Sequence, residues 1–159
     1  MSLTVGDKVE AFTATTDQGA RYDSGQDSGT WRVVFFFPHA AASHCQLQAR
    51  RYQAHHPEFA QAGVKVLGVS SNTRKQQLVF RDVCQVSFPL ITDEQHRLST
   101  QFGVLDDPLP ELSFRPARRE TFLIGPDDVI VQHWQNVNPE TDASTVLEEV
   151  RRHLGQSGR

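Results

Sequence analysis

The chain is predicted to be an α/β protein built on a mixed β-sheet, and three observations carry that expectation. Residues 31–37 form a β-branched and aromatic run, Trp-Arg-Val-Val-Phe-Phe-Phe, closed by Pro38, and residues 64–70 form a second, Val-Lys-Val-Leu-Gly-Val-Ser. Both are too short for a typical helix and too apolar for a strand with one wet face, so they read as strands buried on both sides. Helical spacing lies between them, whereas residues 120–134 read as two strands around a Gly-Pro-Asp-Asp turn, an antiparallel hairpin. Strands alternating with helices, followed by a hairpin, give one layered sheet of mixed direction.

Each element has a local reason. Residues 12–15 and 20–22 are short strand-like pieces in a polar N-terminal stretch. Residues 43–56 place Leu47, Ala49, Tyr52 and Ala54 among Gln and Arg and read as a helix, with Ser43 as N-cap and Pro57 kinking or ending it. Ser71-Asn72-Thr73 caps a second helix that runs to about Cys84, with Leu78, Val79, Phe80 and Val83 as its apolar stripe. Residues 88–91 form a short strand and residues 94–102 a short helix closed by Gly103. A loop rich in Pro and Asp covers residues 105–116. The last helix starts near Asp142 and carries Val146, Leu147, Val150 and Leu154.

Length and charge narrow the function classes. At 159 residues, with 38% hydrophobic and 22% charged, the chain suits one domain over residues 1–159 with a real core. A formal net charge of −3 argues against a dedicated nucleic-acid binder. No apolar run approaches the roughly 20 residues that span a bilayer. The first residues lack a basic segment followed by an apolar one, so no signal peptide is expected and a reducing, cytoplasmic setting is.

Cys45 and Cys84 are the only cysteines, 39 positions apart and outside any CxxC pair, so neither a disulfide framework nor a cysteine zinc cluster is expected. Cys45 falls just past a buried strand, at the first turn of a helix, where open α/β sheets place their sites. Free N–H groups and the helix dipole there favour an anion, and a thiol can ionise well below its free value of about 8.5. Cysteine is also a small, often inert hydrophobe, but the polar neighbours Ser43, His44, Gln46 and Gln48 are no core stripe. Cys84, four residues after Phe80 on one helical face, reads on its own as packing. His39, His44, His55 and His56 crowd the same segment, yet His44 and Cys45 are adjacent and His55 and His56 lie about 15 Å along the helix, a poor metal geometry. Of Arg118 and Arg119, which face opposite ways on an extended chain, one can turn inward as a fixed cation for a thiolate or an incoming oxygen. The residue pattern alone does not choose between them.

These residues together resemble the peroxiredoxins, specifically the PrxQ or bacterioferritin-comigratory group of the AhpC/TSA and thioredoxin superfamily. The resemblance covers nearly the whole chain: Val5-Gly-Asp7 with Phe12-Thr13, the strand ending in Pro38, Cys45 at its spacing from that proline, Val66-Leu-Gly-Val-Ser70, Phe88-Pro-Leu-Ile-Thr-Asp93, Phe102-Gly-Val104, and Arg119-Glu-Thr-Phe-Leu-Ile124 before Gly-Pro-Asp-Asp. It implies a thioredoxin-like fold, a central mixed sheet flanked by helices with an N-terminal β-hairpin extension. It implies a thiol peroxidase without cofactor or metal, acting on hydrogen peroxide or organic hydroperoxides. Cys45 would attack the peroxide and become a sulfenic acid. Arg119 rather than Arg118 would be the active-site arginine, and Pro38 would shield the thiolate. Some members of the family carry a resolving cysteine on the following helix, which makes Cys84 the expected resolver, closing an intramolecular disulfide that thioredoxin or a similar dithiol protein reopens. A monomer or weak homodimer is expected, since no long C-terminal arm is present to embrace a partner.

The departures from the family pattern cluster at Cys45. Ala42 stands where the family has a threonine, Ser43-His44 where it has Pro-Gly, Gln48 where it has a glutamate, and Arg50 at the alternative position for a resolving cysteine. They imply a slower or differently selective peroxidase, because one lost preorganised group can cost orders of magnitude in rate. They also keep open a second reading, a redox-sensing or partner-binding protein on a degenerate peroxiredoxin scaffold. A disulfide oxidoreductase is disfavoured by the missing CxxC.

Overall fold

The computed structural model describes residues 3–157. Five strands form the main sheet: β3 (Trp31–Phe36), β4 (Val64–Ser70), β5 (Leu90–Thr92), β6 (Thr121–Ile124) and β7 (Ile130–Trp134), in the order β5-β4-β3-β6-β7. The first three are mutually parallel, and β6 and β7 are antiparallel to their neighbours. β1 (Thr13–Thr15) and β2 (Arg21–Asp23) form a separate antiparallel hairpin. The mixed sheet and the N-terminal hairpin are those the sequence predicts. Among the described residues no helix is long and apolar enough to cross a membrane.

β3 lies at the centre because every residue after Trp31 is buried. Its side chains alternate between two cores, as the two-residue period of a strand requires. Val33, Phe35 and Phe37 face a layer made by α1 (Ser43–Gln61), α2 (Arg74–Cys84) and α4 (Asp142–Ser157), packing with Tyr52, Phe59, Phe80 and Val150. Val34 and Phe36 face the opposite side, with Leu67, Val69, Phe122 and Phe102 of α3 (Arg97–Phe102). Gly68 on β4 is required by that packing, since a Cβ there would sit 2.9 Å from both Leu90 Cδ2 and Phe35 Cζ. Arg32 is buried on β3 and is held by the Asp128 carboxylate at the turn between β6 and β7.

Three sequence expectations change. Ser43 is the first helical residue rather than the cap; Ala42 holds the N-cap position and offers no side-chain hydrogen bond. Pro57 does not end α1, which continues to Gln61. Its ring removes one helical hydrogen bond, but the turn beyond it is held by Phe59, fully buried and stacked on Tyr52 with centroids 6.0 Å apart. The apolar stripe assigned to α2 is mostly on the outside: Leu78, Val79 and Val83 are exposed, and the buried face is Gln77, Phe80 and Cys84. Gln77 faces inward because its amide donates to Ser70 Oγ and to the Ile91 carbonyl, both at 2.8 Å, tying the helix to the ends of β4 and β5. The cap of α2 is as expected, with Thr73 and Gln76 forming a reciprocal capping box.

Candidate active site

The chain leaves the C-terminal end of β3 at Phe36 and turns through Pro38 into α1. Asn72, buried just after β4, fixes that turn: its Oδ1 accepts the Ala40 N–H at 2.9 Å and its Nδ2 lies 3.2 Å from His39 Nδ1. Cys45 is the third residue of α1. The N–H groups of Ser43, His44 and Cys45 have no helical carbonyl to meet, and Ala42 supplies no capping oxygen in their place. Their partial positive charge therefore falls on the first turn of the helix, where the thiol lies.

Arg119 completes the arrangement from two residues ahead of β6, the strand next to β3. Its Nη2 donates to Cys45 Sγ at 3.3 Å and its Nη1 to Gln48 Oε1 at 2.6 Å. Arg118 points the other way, donating to Glu120 Oε2 at 2.8 Å and to the Gly103 carbonyl at 2.6 Å. The alternation of an extended chain thus separates the two guanidiniums, and it is Arg119 that meets the sulfur. A guanidinium and free helix N–H groups around one buried thiol form an electropositive site.

Behind Gln48 lies a group that the sequence reading marked only as a helix start. Gln48 Nε2 donates to Asp142 Oδ2 at 3.0 Å, and the same oxygen accepts from Tyr52 OH at 2.6 Å and Thr121 Oγ1 at 2.8 Å. Burial raises the Asp142 carboxyl above its ordinary value, while the three donors and the Arg119 charge pull it down. Burial, and then the Asp142 charge, also push the Tyr52 hydroxyl well up, so it remains a donor. One signal for this cluster is present in the sequence: Cys45, Gln48 and Tyr52 recur at helical spacing, and all three are buried. Two of the three are polar, which an ordinary core face is not.

Cys84 ends α2 and points at the same turn of α1. Its Sγ contacts the Gln46 carbonyl, the residue after Cys45, at 3.8 Å. Both cysteines are free, both are buried, and both belong to one apolar cluster with Phe37 and Phe80. Burial raises the Cys84 thiol above its usual value; Arg50 opposes this and the nearby Cys45 adds to it. Neither the Ser43 nor the His44 side chain makes a hydrogen bond to Cys45, so nothing fills the place of the family threonine. Both are exposed instead. The other histidines are dispersed: His55 pairs with Glu58 at 3.0 Å and His56 with Ser87 at 3.1 Å. Pro38 and Arg119 line a cleft of about 320 Å³ with Arg118, Glu120 and Asn136. Neither this cleft nor a larger one of about 1030 Å³, between the N-terminal hairpin and α3, is lined by a cysteine.

Comparison with known proteins shows the family to which the chain belongs. The AhpC/TSA family pattern matches residues 5–133. Peroxiredoxin Bcp of Xanthomonas campestris is 31% identical over 130 residues, 81% of either chain. Peroxiredoxin Bcp of Escherichia coli is 26% identical over 152 residues, 95% of this chain and 97% of its own. Among solved structures, peroxidoxin BcpB of Mycobacterium tuberculosis superposes with a TM-score of 0.86 at 25% identity, covering 94% of this chain and 97% of its own. PrxQ of Xylella fastidiosa shares the fold with a TM-score of 0.89 at 24% identity, covering 96% and 98%. The chain therefore belongs to the AhpC/TSA family, as a thiol peroxidase of the peroxiredoxin group that includes Bcp and PrxQ.

Proposed function

We propose that this peroxidase works through both of its cysteines, as one domain spanning the chain, with the Arg119 guanidinium on the Cys45 sulfur as the observation that carries the reading. Cys45, as thiolate, attacks one oxygen of a peroxide; the O–O bond breaks, the sulfur becomes a sulfenic acid, and water or an alcohol leaves with the other oxygen. Arg119 and the free N–H groups of the first turn hold the negative charge that passes from sulfur to the departing oxygen. Pro38, which lines a cleft together with Arg119, shields the thiolate. Hydrogen peroxide and organic hydroperoxides are the proposed substrates; the bacterioferritin comigratory protein of Xanthomonas campestris, 27% identical, is described with alkyl peroxide reduction activity.

Cys84 then attacks the sulfenic sulfur, forming a disulfide and releasing water. To do so its Sγ moves from the Gln46 carbonyl onto Cys45, a transfer along one turn of α1. A dithiol protein of the thioredoxin type reopens the bond, in a cytoplasmic setting, and a disulfide closed within one chain needs no second subunit.

Mass spectrometry of the reduced protein after stoichiometric hydrogen peroxide is expected to show one intrachain Cys45–Cys84 disulfide. Two free thiols after that treatment would sink the proposal. Cys45→Ser is expected to abolish turnover, and Cys84→Ser to leave Cys45 advancing to sulfinic and sulfonic acid. The bare N-cap at Ala42 favours a second reading, a redox sensor with little turnover. Stopped-flow oxidation with hydrogen peroxide and with an alkyl hydroperoxide, followed by Trp fluorescence, separates the two: the sensor forms the same disulfide without sustained turnover in the presence of a dithiol reductant.

A further inference from the structure

We infer that Asp142 is a positioning residue for the Cys45 chemistry: its buried carboxylate holds the Gln48 amide with the oxygen toward Arg119, and so sets the guanidinium on the sulfur. The inference rests on the reading of Cys45 as the attacking thiol.

The argument is one of donors and acceptors. An amide has two ends that look alike in shape and are opposite in hydrogen bonding. Gln48 sits between a cation that can only donate and a carboxylate that can only accept when ionised. With Asp142 Oδ2 at 3.0 Å from Nε2, the amide must turn its oxygen to Arg119 Nη1, 2.6 Å away. Arg119 has its other nitrogen on Cys45 Sγ at 3.3 Å, so the orientation fixed at Asp142 passes through one rigid amide and one rigid guanidinium to the sulfur. Tyr52 and Thr121 donate to the same carboxylate oxygen and hold it in place. The carboxylate also places a negative charge beyond the arginine, which a glutamine at position 48 does not itself supply.

The test is a double-mutant cycle on the full chain in a Cys84→Ser background, where Cys45 is the only thiol. Iodoacetamide alkylation of Cys45 at neutral pH reads thiolate reactivity, and a melting temperature is recorded for every variant. Gln48→Glu sets a second carboxylate against Asp142 and is expected to slow alkylation about ten-fold. Gln48→Glu combined with Asp142→Asn restores a donor facing an acceptor and is expected to recover to within about three-fold of the parent. Asp142→Asn alone removes negative charge near the thiol but frees the Gln48 amide to turn over. Positioning predicts slower alkylation there, whereas a simple count of charges predicts an equal or faster rate.

Slow single variants and a recovered double, with melting temperatures close to the parent, establish the relay. An equal or faster rate in Asp142→Asn, or a double variant no faster than Gln48→Glu, overturns it. Should Gln48→Glu fail to fold, Asp142→Asn decides alone. Failure of the underlying reading looks different: the Cys84→Ser protein would alkylate at Cys45 and yet not react with hydrogen peroxide.

Discussion

Arg119 makes two contacts with one planar group, and lysine cannot copy that. Arg119→Lys keeps the charge but offers a single point, which reaches either Gln48 or Cys45. The rate constant of Cys45 with hydrogen peroxide is expected to fall about 10- to 100-fold in stopped-flow measurements; a change under about two-fold would show the second contact to be idle. Asp142 has an effect of the opposite sign on stability. A carboxyl raised by burial contributes stability below its unfolded pKa of about 4 and loses it as pH rises through the folded value. Burial disfavours its ionised form, so Asp142→Asn is expected to melt no lower than the parent at about pH 7, the difference narrowing toward about pH 4. A clearly lower melting temperature at neutral pH would contradict this. Cys45 stood out from its place at a helix start, whereas Cys84 and Arg119 were singled out only by the resemblance, Cys84 lying on a helix and Arg119 two residues ahead of a strand that the sequence shows. Asp142 was not, because nothing near it in sequence says which buried side chains of α1 and β6 it will meet.

The elements differ in how much of them could be read ahead. β3 and β4 declared themselves, because a strand buried on both faces has no polar positions to confuse the pattern. α2 did not: its Leu and Val face outward and its Gln faces inward, and only the strand ends supply the reason. The end of α2 also carries a restraint on Cys84. Arg81 reaches the Asp17 carboxylate with two nitrogens and the Val86 and Phe88 carbonyls at 2.8 Å, pinning the chain on both sides of the thiol. Arg81→Lys keeps a charge for the buried Asp17 but cannot also hold both carbonyls. It is expected to lower stability by about 1–2 kcal/mol and to speed disulfide closure several-fold, leaving the first oxidation step of Cys45 unchanged. Slower closure would mean that the clamp presents Cys84 rather than restrains it.

Seen as a whole, the molecule keeps both thiols inside one apolar cluster, with Phe37, Phe80 and Val86. Forming the disulfide moves Cys84 off its place in that cluster, so the proposed cycle exchanges core packing for a covalent bond. The oxidised protein is expected to melt below the reduced one, and calorimetry of the two forms measures it; a higher melting temperature on oxidation would show that the bond closes without disturbing the core. The order of the chain adds a further consequence. The thiol, the amide and the guanidinium come from α1 and from a residue two positions ahead of β6, but the carboxylate behind them comes with α4, which leaves the ribosome after all three. If Asp142 sets the guanidinium, an emerging chain exposes Cys45 long before it can direct it, and the sulfur gains its full reactivity only when α4 docks. Emergence of α4 then serves as the licence for its chemistry, and a chain stopped short before residue 142 would carry both cysteines yet handle peroxide as an ordinary thiol.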